Sequence, residues 1–456
     1  MNGYSYKTAE RTLRQSIIGY PLAINWRAFF YKFGIFISAT FFIFLLILLK
    51  SKTASDFRLE PYLFSYAIFV TTFELSRIIS AMLYESSFAS LLDEAQSGED
   101  LLAKNYEPTV AFIIPCKNEE VDIGESIIQC YQTDYPPEKI EVIVINDGST
   151  DRTLLILREL QKFYPNLKVI DWPKNQGKRW AMAAGFEVAK SEIIIQLDSD
   201  SHIEPKTFRE LIKPFRNTKV AAVVAQGEPK NADKNILTRM QAAYYFMSFR
   251  ILKAAESTFD TVFCASGCCS AYRRSAVMPV LYYWLSESFL GRPVTWGDDR
   301  ALTSWVLKAG GKTIFSSRAL AYTIVPENWK QLMKQQLRWK KSWIINFFFT
   351  SRFIFKKQPF VAFFYYLPLI FISLMTPIMT FRALIYAPLT LGILPLYHIM
   401  GILLVTAIMV IYYRYLDKDN KYWPYLFLWS MFTMFVLSFM IIWAAVRIQD
   451  RGWGTR

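Results

Sequence analysis

Two acidic pairs in the chain have the residue types and spacing of a site for phosphorylated ligands. Asp198 and Asp200 follow a short apolar run at positions i and i+2, so both can turn toward one ligand where the chain leaves the extended state. Mg²⁺ and Mn²⁺ prefer carboxylate oxygens, with phosphate and water as their other ligands. An Asp-x-Asp pair alone is more often a helix cap or a turn, and Pro205 downstream fits that interpretation.

Asp298 and Asp299 form the second pair and open an amphipathic helix directly after Gly297. Two acids at a helix start can simply complement the helix dipole. They can also supply a general base whose pKa is raised by its acidic neighbour. Sequence alone leaves both interpretations open.

Two basic segments could bind an anionic ligand. Lys178 and Arg179 follow Gly177 just before a predicted helix, and backbone N–H groups at a helix start favour anions. The segment 335–343 (QQLRWKKSW) can bind phosphate through Arg338 and stack a sugar on an indole ring. The simpler alternatives are a solvated turn and a helix that contacts lipid headgroups.

These candidates lie among short β-rich runs that alternate with amphipathic stretches of helix length. The predicted strands are 109–115, 140–146, 167–170, 192–197 and 220–226. The predicted helices are 118–132, 151–164, 176–189 and 205–216. This alternation predicts an α/β domain with a mostly parallel sheet and helices on both faces.

Polar residues follow three of the predicted strands. Lys117 comes after the first strand, Asp147 after the second, and the Asp198–Asp200 pair after a later one. Open α/β sheets bind ligands beyond the carboxyl ends of their strands. We therefore expect these side chains to meet at one edge of the sheet.

The distribution of charge predicts a membrane protein with one large soluble domain. The net charge is +14 overall, with +5 over residues 1–61, +12 over 330–456 and −3 over 85–329. The basic excess therefore flanks the apolar segments, as the positive-inside rule and anionic lipid require. A basic face on the soluble domain would be needed for nucleic acid, so we predict no nucleic-acid partner.

Apolar segments lie on both sides of this domain. Residues 33–50 and 61–84 predict two transmembrane helices, and Glu74 and Arg77 in the second can pair at i,i+3. Three further apolar blocks cover 358–381, 383–413 and 422–446.

We predict an integral protein of the cell membrane with its large domain in the cytosol. The predicted parts are an N-terminal segment with two transmembrane helices (1–100), the cytosolic domain (101–325), interfacial amphipathic helices (326–357) and C-terminal membrane helices with a terminal motif (358–456).

The five cysteines are too few and too unevenly spaced for a disulfide framework. Cys264, Cys268 and Cys269 could suggest a metal cluster, but structural zinc takes four ligands. Both histidines lie far from these cysteines in sequence. We interpret the cysteines as reduced thiols.

Five motifs follow one another along the chain. They are Asn146-Asp147-Gly148, Asp198-Ser199-Asp200, Ser266-Gly267 with Tyr272-Arg273, Gly297-Asp298-Asp299-Arg300 and Gln335-Gln336-Leu337-Arg338-Trp339. In this order they resemble the processive, membrane-embedded, inverting family 2 glycosyltransferases, which include cellulose, chitin and hyaluronan synthases. The resemblance covers about 105–345 plus the carboxyl end, and it implies a GT-A-type α/β domain inserted between transmembrane and interfacial helices.

Within that family the chain is most similar to hyaluronan synthases. The similarity lies in Phe289-Leu290-Gly291, the Gly-Asp-Asp-Arg form at 297–300, Trp339-Lys340-Lys341-Ser342-Trp343 and the terminal Trp453-Gly454-Thr455-Arg456. Rhizobial chitin-oligosaccharide synthases share most of these motifs but tend to carry Glu where Asp298 stands.

The resemblance implies roles in binding the donor. Lys117 and Asp147 would contact the uridine of a UDP-sugar, and Lys178 would lie near the nucleotide. The other implied roles are nucleotide binding by Asp198, binding of diphosphate-bound Mn²⁺ or Mg²⁺ by Asp200, diphosphate binding by Arg338, and closure over the nucleotide by Trp453 and Arg456.

The resemblance also implies roles at the acceptor. Asp299 would be the base that deprotonates the acceptor hydroxyl, with Asp298 tuning it. Trp339 would form a floor for the acceptor sugar, next to the loop of Ser266, Gly267 and Cys268. Many hyaluronan synthases have Pro where Cys268 stands, so the acceptor preference is open.

The implied function is processive polymerisation of UDP-sugars into a β-linked polysaccharide that leaves through the protein's own membrane helices. Hyaluronan, made from UDP-GlcNAc and UDP-GlcA, comes ahead of a chitin-like product made from UDP-GlcNAc alone. One alternative is a lipid-linked sugar transferase, which would not need the platform at 335–339. Another is a non-enzymatic transporter or receptor with a nucleotide-sensing domain.

The end of the chain poses a topological conflict. Three crossings after a cytosolic domain would leave the motif at 453–456 outside the cell. We therefore predict that 422–446 is interfacial or re-entrant, in line with the basic residues Arg447, Arg451 and Arg456.

Overall fold

The structure is a computed structural model that describes residues 60–94 and 106–450, with positions 45, 48, 50 and 51. The strands are β1 Val110–Cys116, β2 Ile140–Asp147, β3 Leu167–Trp172, β4 Ile193–Gln196, β5 His202–Ile203, β6 Val220–Pro229, β7 Ser270–Arg273, β8 Ser288–Phe289, β9 Arg292–Pro293 and β10 Lys312–Thr323. Most of the predicted first membrane segment, 33–50, lies outside the described residues.

The helices of the α/β domain and its entrance are α1 Pro61–Met82, α2 Tyr84–Glu94, α3 Ile123–Tyr131, α4 Thr153–Phe163, α5 Lys178–Val188, α6 Phe208–Ile212, α7 Ile236–Met247, α8 Ala254–Ser257, α9 Arg274–Leu285 and α10 Asp298–Lys308. A π-helical turn, Ser248–Lys253, joins α7 to α8. The later helices are α11 Trp329–Ser351, α12 Ile354–Lys357, α13 Pro359–Leu391, α14 Leu396–Leu416 and α15 Tyr425–Val446.

The main sheet has eight strands in the order β3-β2-β1-β4-β7-β6-β10-β5. Strand β1 pairs in parallel with β2 and β4, and β6 pairs in parallel with β10. Strand β7 is antiparallel to both of its neighbours. The prediction of a mostly parallel sheet is therefore confirmed, whereas β7 and β10 were not among the predicted strands.

Helices cover both faces of the sheet, as predicted. Alternate residues of β1 point into separate cores, Ile113 with Phe186 of α5 and Phe112 with Phe208 of α6. Every residue of β1 is buried. Burial on both faces explains why the strands are continuous apolar runs without alternation.

Four helices among the described residues are long and apolar enough to cross a membrane: α1, α13, α14 and α15. The predicted division between blocks 358–381 and 383–413 is wrong, because α13 continues through Arg382 to Leu391. The guanidinium of Arg382 pairs with Glu60 at 2.7 and 2.8 Å, so its charge does not end the helix. The break falls instead at Gly392, where φ is +62° and a side chain would be strained.

Helix α15 runs continuously from Tyr425 to Val446 without turning back. Just before it, Lys421 Nζ lies 2.7 Å from Asp233 Oδ2. Just after it, Ile448 packs with Val294 and Trp296. Both ends of α15 therefore contact the α/β domain.

Candidate active site

A cavity of about 390 Å³ opens where the carboxyl ends of β4 and β10 meet α10 and α11. It is lined by ten of the predicted site residues: Lys178, Asp198, Asp200, Ser266, Gly267, Cys268, Asp298, Asp299, Arg338 and Trp339. Residues that are far apart in sequence thus share one concave surface, which is the usual form of a small-molecule site.

One part of the wall, which we name the sheet side, consists of Lys178, Asp198 and Asp200. The two carboxylates follow β4, and Lys178 begins α5, so the sheet fixes all three. Lys178 Nζ donates to Asp198 Oδ1. Burial lowers the pKa of Lys178, but the carboxylates of Asp198, Asp298 and Asp299, with Asp198 contributing most, together raise it above its usual value. The Lys178 ammonium is therefore charged and held against a carboxylate.

The opposite part of the wall, which we name the helix side, consists of Asp299, Arg338 and Trp339. Asp299 lies in the first turn of α10, and the other two lie on α11. A Cβ at Gly297 would lie 1.7 Å from Ser342 Oγ of α11, and the φ of Gly297 is +69°. Glycine at 297 therefore lets the two helices approach closely and brings Asp299 to the same cavity as Arg338.

Gly267 joins the two sides. Its carbonyl oxygen accepts a hydrogen bond of 3.0 Å from the backbone N–H of Asp198, and its own N–H donates to Asp299 Oδ2 at 3.2 Å. A Cβ at this position would lie 2.9 and 3.0 Å from the carboxylate oxygens of Asp198. Only glycine fits here without displacing that carboxylate.

Both carboxylate oxygens of Asp299 accept hydrogen bonds. The backbone N–H of Arg300 donates to Oδ1 at 2.7 Å, and the Cys264 thiol lies 3.7 Å from Oδ2. Burial, with a smaller contribution from Asp299, raises the pKa of Cys264 to about 11. The thiol is therefore protonated at neutral pH and acts as the donor.

Asp298 lies in a buried ion-pair network. Arg179 Nε donates to Asp298 Oδ1 at 2.9 Å, and Arg179 Nη1 lies 3.1 Å from Glu287 Oε2. The interpretation of Arg179 as a cation for an anionic ligand is therefore wrong, because its guanidinium binds two carboxylates of the protein itself. The network instead ties the start of α5 to the start of α10.

The comparison with known proteins decides the family. Residues 111–281 match the family model described as glycosyl transferase family 2. The chain is 32% identical over 275 residues to an N-acetylglucosaminyltransferase of Neorhizobium galegae, covering 59% of this chain and 63% of that protein. It is 30% identical over 367 residues to a hyaluronan synthase of Streptococcus pyogenes, covering 78% and 85%. The chain belongs to glycosyl transferase family 2.

This glycosyltransferase matches about three fifths of the length of its rhizobial relatives, 63% and 60% for the proteins of N. galegae and Rhizobium meliloti (strain 1021). A solved mannosyltransferase of Pyrobaculum calidifontis, in complex with GDP-Man and Mn²⁺, is similar at a TM-score of 0.49 and 20% identity, covering 82% of this chain and 98% of that one. Family membership makes the chain an enzyme, so the transporter or receptor alternative is wrong.

Two predicted donor residues of the glycosyltransferase are not among the residues that line the cavity. Lys117 and Asp147 stand at the ends of β1 and β2, which are in register at Cys116 and Asn146. The carboxylate of Asp147 accepts the backbone N–H groups of Gln176 and Gly177 at 2.6 and 2.9 Å. Asp147 thus holds the turn that presents Lys178. The predicted gate residues Trp453 and Arg456 lie outside the described residues.

Sequence reasoning missed several cavity residues of the glycosyltransferase. Gln196 is buried at the end of β4, and neither of its amide side-chain atoms has a hydrogen-bond partner in the described structure. A glutamine in an otherwise apolar strand was an available signal for it. Tyr244, Tyr245 and Lys253 come from α7 and the π-helical turn after it. No sequence motif marks them, because tertiary packing brings that helix to the cavity.

Proposed function

We propose that the chain is a processive inverting synthase that transfers sugars from UDP-activated donors to a growing β-linked polysaccharide. The observation that carries the proposal is the cavity that Asp198 and Asp200 share with a third carboxylate, Asp299, beside Trp339. Inverting transfer is one displacement at the anomeric carbon, so it needs one base and no covalent nucleophile.

The sheet side would bind the donor. Lys117 and Asp147 would contact the uridine, and Asp198 and Lys178 the rest of the nucleotide. Asp200 would hold Mn²⁺ or Mg²⁺ on the diphosphate. Two carboxylates fit such an ion, because Mg²⁺ in particular usually takes one or two carboxylates and completes its shell with phosphate and water. The ion would supply positive charge to the leaving diphosphate.

The helix side would bind the acceptor and activate it. Asp299 would accept the proton of the acceptor hydroxyl, and Arg338 would stabilise the charge of the leaving diphosphate. Asp298, bound to Arg179, would position the helix that carries Asp299. Trp339 would stack on the acceptor sugar, beside Ser266, Gly267 and Cys268. Trp453 and Arg456 would close over the nucleotide.

Hyaluronan is the product we favour. The match to the S. pyogenes hyaluronan synthase covers 85% of that protein, whereas the match to the N. galegae N-acetylglucosaminyltransferase covers 63%. A chitin-like product from UDP-GlcNAc alone is the second candidate, favoured by the slightly higher identity to that rhizobial protein. A lipid-linked transferase would leave the cavity position of Arg338 and Trp339 without use.

The membrane helices would carry the polymer across the bilayer. Charged and polar groups continue from the cavity toward α1 and α13. Arg300 lines the cavity and interacts electrostatically with Glu256, whose Oε1 accepts a hydrogen bond of 3.0 Å from Tyr365. Arg77 lies against the Tyr365 ring and pairs with Glu74 at 3.1 Å. Ionisable groups at membrane depth typically mark a polar path.

Helix α15 would lie along the membrane surface on the catalytic side. A helix that crosses a hydrocarbon core of about 30 Å cannot return both ends to one soluble domain. Both ends of α15 contact this domain, at Asp233 and at Trp296. The end of the chain and the catalytic domain would then both be cytosolic.

The Asp299→Asn variant tests the proposed function. Purified full-length protein in lipid nanodiscs should still bind UDP-sugar, while polymer synthesis with Mn²⁺ falls by about 100-fold or more, because the base is lost. Asp134→Asn is the matched control, since Asp134 is exposed and lies outside the cavity. Full activity of Asp299→Asn would overturn the proposal.

The products distinguish the candidates. A ladder of polymer on a gel excludes transfer of a single sugar to a lipid. A requirement for UDP-GlcNAc and UDP-GlcA together means hyaluronan, and polymer from UDP-GlcNAc alone means a chitin-like product.

A further inference from the structure

Lys253 places a positive charge in the wall of the cavity without a neighbouring carboxylate. It is 8% exposed, and its Nζ donates to the backbone carbonyl of Cys264. Among the described residues, no Asp or Glu oxygen lies within 4.0 Å of it. A buried ammonium without a counter-ion is costly, so such a group points to an anion supplied by a ligand.

Two other cations of the cavity wall, Lys178 and Arg300, differ from Lys253 in this respect. Lys178 pairs with Asp198 on the sheet side. Arg300 is adjacent to Asp299 and interacts electrostatically with it. Lys253 has instead an aromatic neighbour, the Phe249 ring at 5.1 Å, and one carbonyl oxygen.

The position of Lys253 indicates which anion it meets. The carbonyl that it binds belongs to Cys264, whose thiol lies 3.7 Å from Asp299 Oδ2. Lys253 is therefore close to the residue proposed as the base. The diphosphate of the donor already has its proposed partners, the metal ion at Asp200 and the guanidinium of Arg338. A cation beside the base cannot form an ion pair with a neutral acceptor sugar, but it can do so with a sugar that carries a carboxylate.

The local backbone supports a ligand-binding role. Lys253 ends the π-helical turn Ser248–Lys253, in which Ser248, Phe249 and Lys253 all line the cavity. Such turns cost regular hydrogen-bond geometry and occur frequently at functional sites.

We propose that Lys253 binds the carboxylate of a uronic-acid unit at the acceptor end and so selects a polymer that contains uronic acid. The proposal rests on the proposed function and deepens it, because it assigns recognition of the acidic sugar to one side chain. A charge-assisted hydrogen bond of this kind is stronger than a neutral one.

The test compares Lys253→Met with Lys253→Arg in full-length protein with Mn²⁺. UDP release is measured with UDP-GlcNAc alone and with UDP-GlcNAc plus UDP-GlcA. We expect Lys253→Met to lower the two-donor rate by about tenfold or more, while slow release from UDP-GlcNAc alone changes less than about twofold. Lys253→Arg should keep most of the two-donor rate. Unchanged single-donor release also shows that the variant is folded.

Three outcomes would overturn the assignment, and the first two leave the proposed hyaluronan product untouched. An equal fall in both rates means that Lys253 serves the diphosphate or the fold. An unchanged two-donor rate means that it serves neither sugar nor phosphate. In both cases a wild-type protein that needs both donors leaves the hyaluronan proposal intact. A wild-type protein that polymerises UDP-GlcNAc and ignores UDP-GlcA overturns hyaluronan and the role of Lys253 together.

Discussion

The sheet side and the helix side of the cavity are held in place by different kinds of contact. On the sheet side, Asp198 and Asp200 follow directly from β4, so strand register fixes their position. On the helix side, Asp299 and Trp339 depend on the packing of α10 against α11 and of α10 against Arg179. The sheet side is thus specified by local sequence, and the helix side by tertiary contacts. Substitutions should separate the two.

The largest loss of activity should come from Gly267→Ala, because this substitution disturbs the sheet side and the helix side together. The added Cβ would displace the Asp198 carboxylate and strain the N–H donor to Asp299. We expect UDP release to fall by about 100-fold or more, as for loss of a catalytic group. Gly124→Ala is the matched control, because its Cβ would meet only Ile156 Cγ2 at an ordinary 3.6 Å. Wild-type rates in Gly267→Ala would show that the two sides are not joined there.

Arg179→Met should affect the helix side alone. Removing one partner of a buried ion pair leaves Asp298 uncompensated and costs about 3–5 kcal/mol of stability. We expect a lower melting temperature and a kcat reduced by about tenfold to 100-fold, with the KM for the donor within about twofold. Arg179→Lys keeps the charge but not both contacts, so its melting temperature and kcat should lie between those of the wild-type protein and Arg179→Met. A higher donor KM with unchanged kcat would contradict this assignment.

Lys178→Met should affect the sheet side alone, although Lys178 is adjacent in sequence to Arg179. The variant loses the ammonium that pairs with Asp198 and that would meet the nucleotide. We expect the donor KM to rise by about tenfold, with a smaller change in kcat. Steady-state kinetics of the two neighbouring variants, measured together, would show whether the division between sides holds.

Cys264→Ala should have the smallest effect, less than about threefold in kcat, because a thiol is a weak donor to Asp299. The pKa of about 11 also predicts that the reactivity of the Cys264 thiol rises with pH. The reactive thiolate is scarce at pH 8 and increases about tenfold per pH unit below that pKa. Inactivation of the wild-type protein by iodoacetamide should therefore accelerate from pH 8 to pH 9. Cys264→Ala should keep only the part contributed by Cys268, the other thiol of the cavity wall, whose pKa burial also raises to about 11.

The sequence predicts the two sides unequally. Alternating runs predicted five of the sheet strands and the class of fold, because buried parallel strands are continuous apolar segments. Strand ends predicted Asp198 and Asp200. The partner of Arg179 was not predictable, since Asp298 is far away in sequence and either a ligand or a carboxylate suits a guanidinium. Lys253 gave no signal, because only packing of the π-helical turn brings it into the cavity. The charge of Arg382 suggested a break between the apolar blocks 358–381 and 383–413. The sequence could not show that this charge is paired, because its partner Glu60 is 322 positions away.

That separation between Glu60 and Arg382 bears on how the protein is made. Glu60 is 2% exposed at the start of α1, and its carboxylate gains a partner only when α13 has been synthesised. The ribosome must therefore complete the whole catalytic domain before the first described membrane helix is electrostatically complete. Until then, α1 begins with an unpaired carboxylate. A chain whose translation stops early should therefore be degraded by the quality control of the cell.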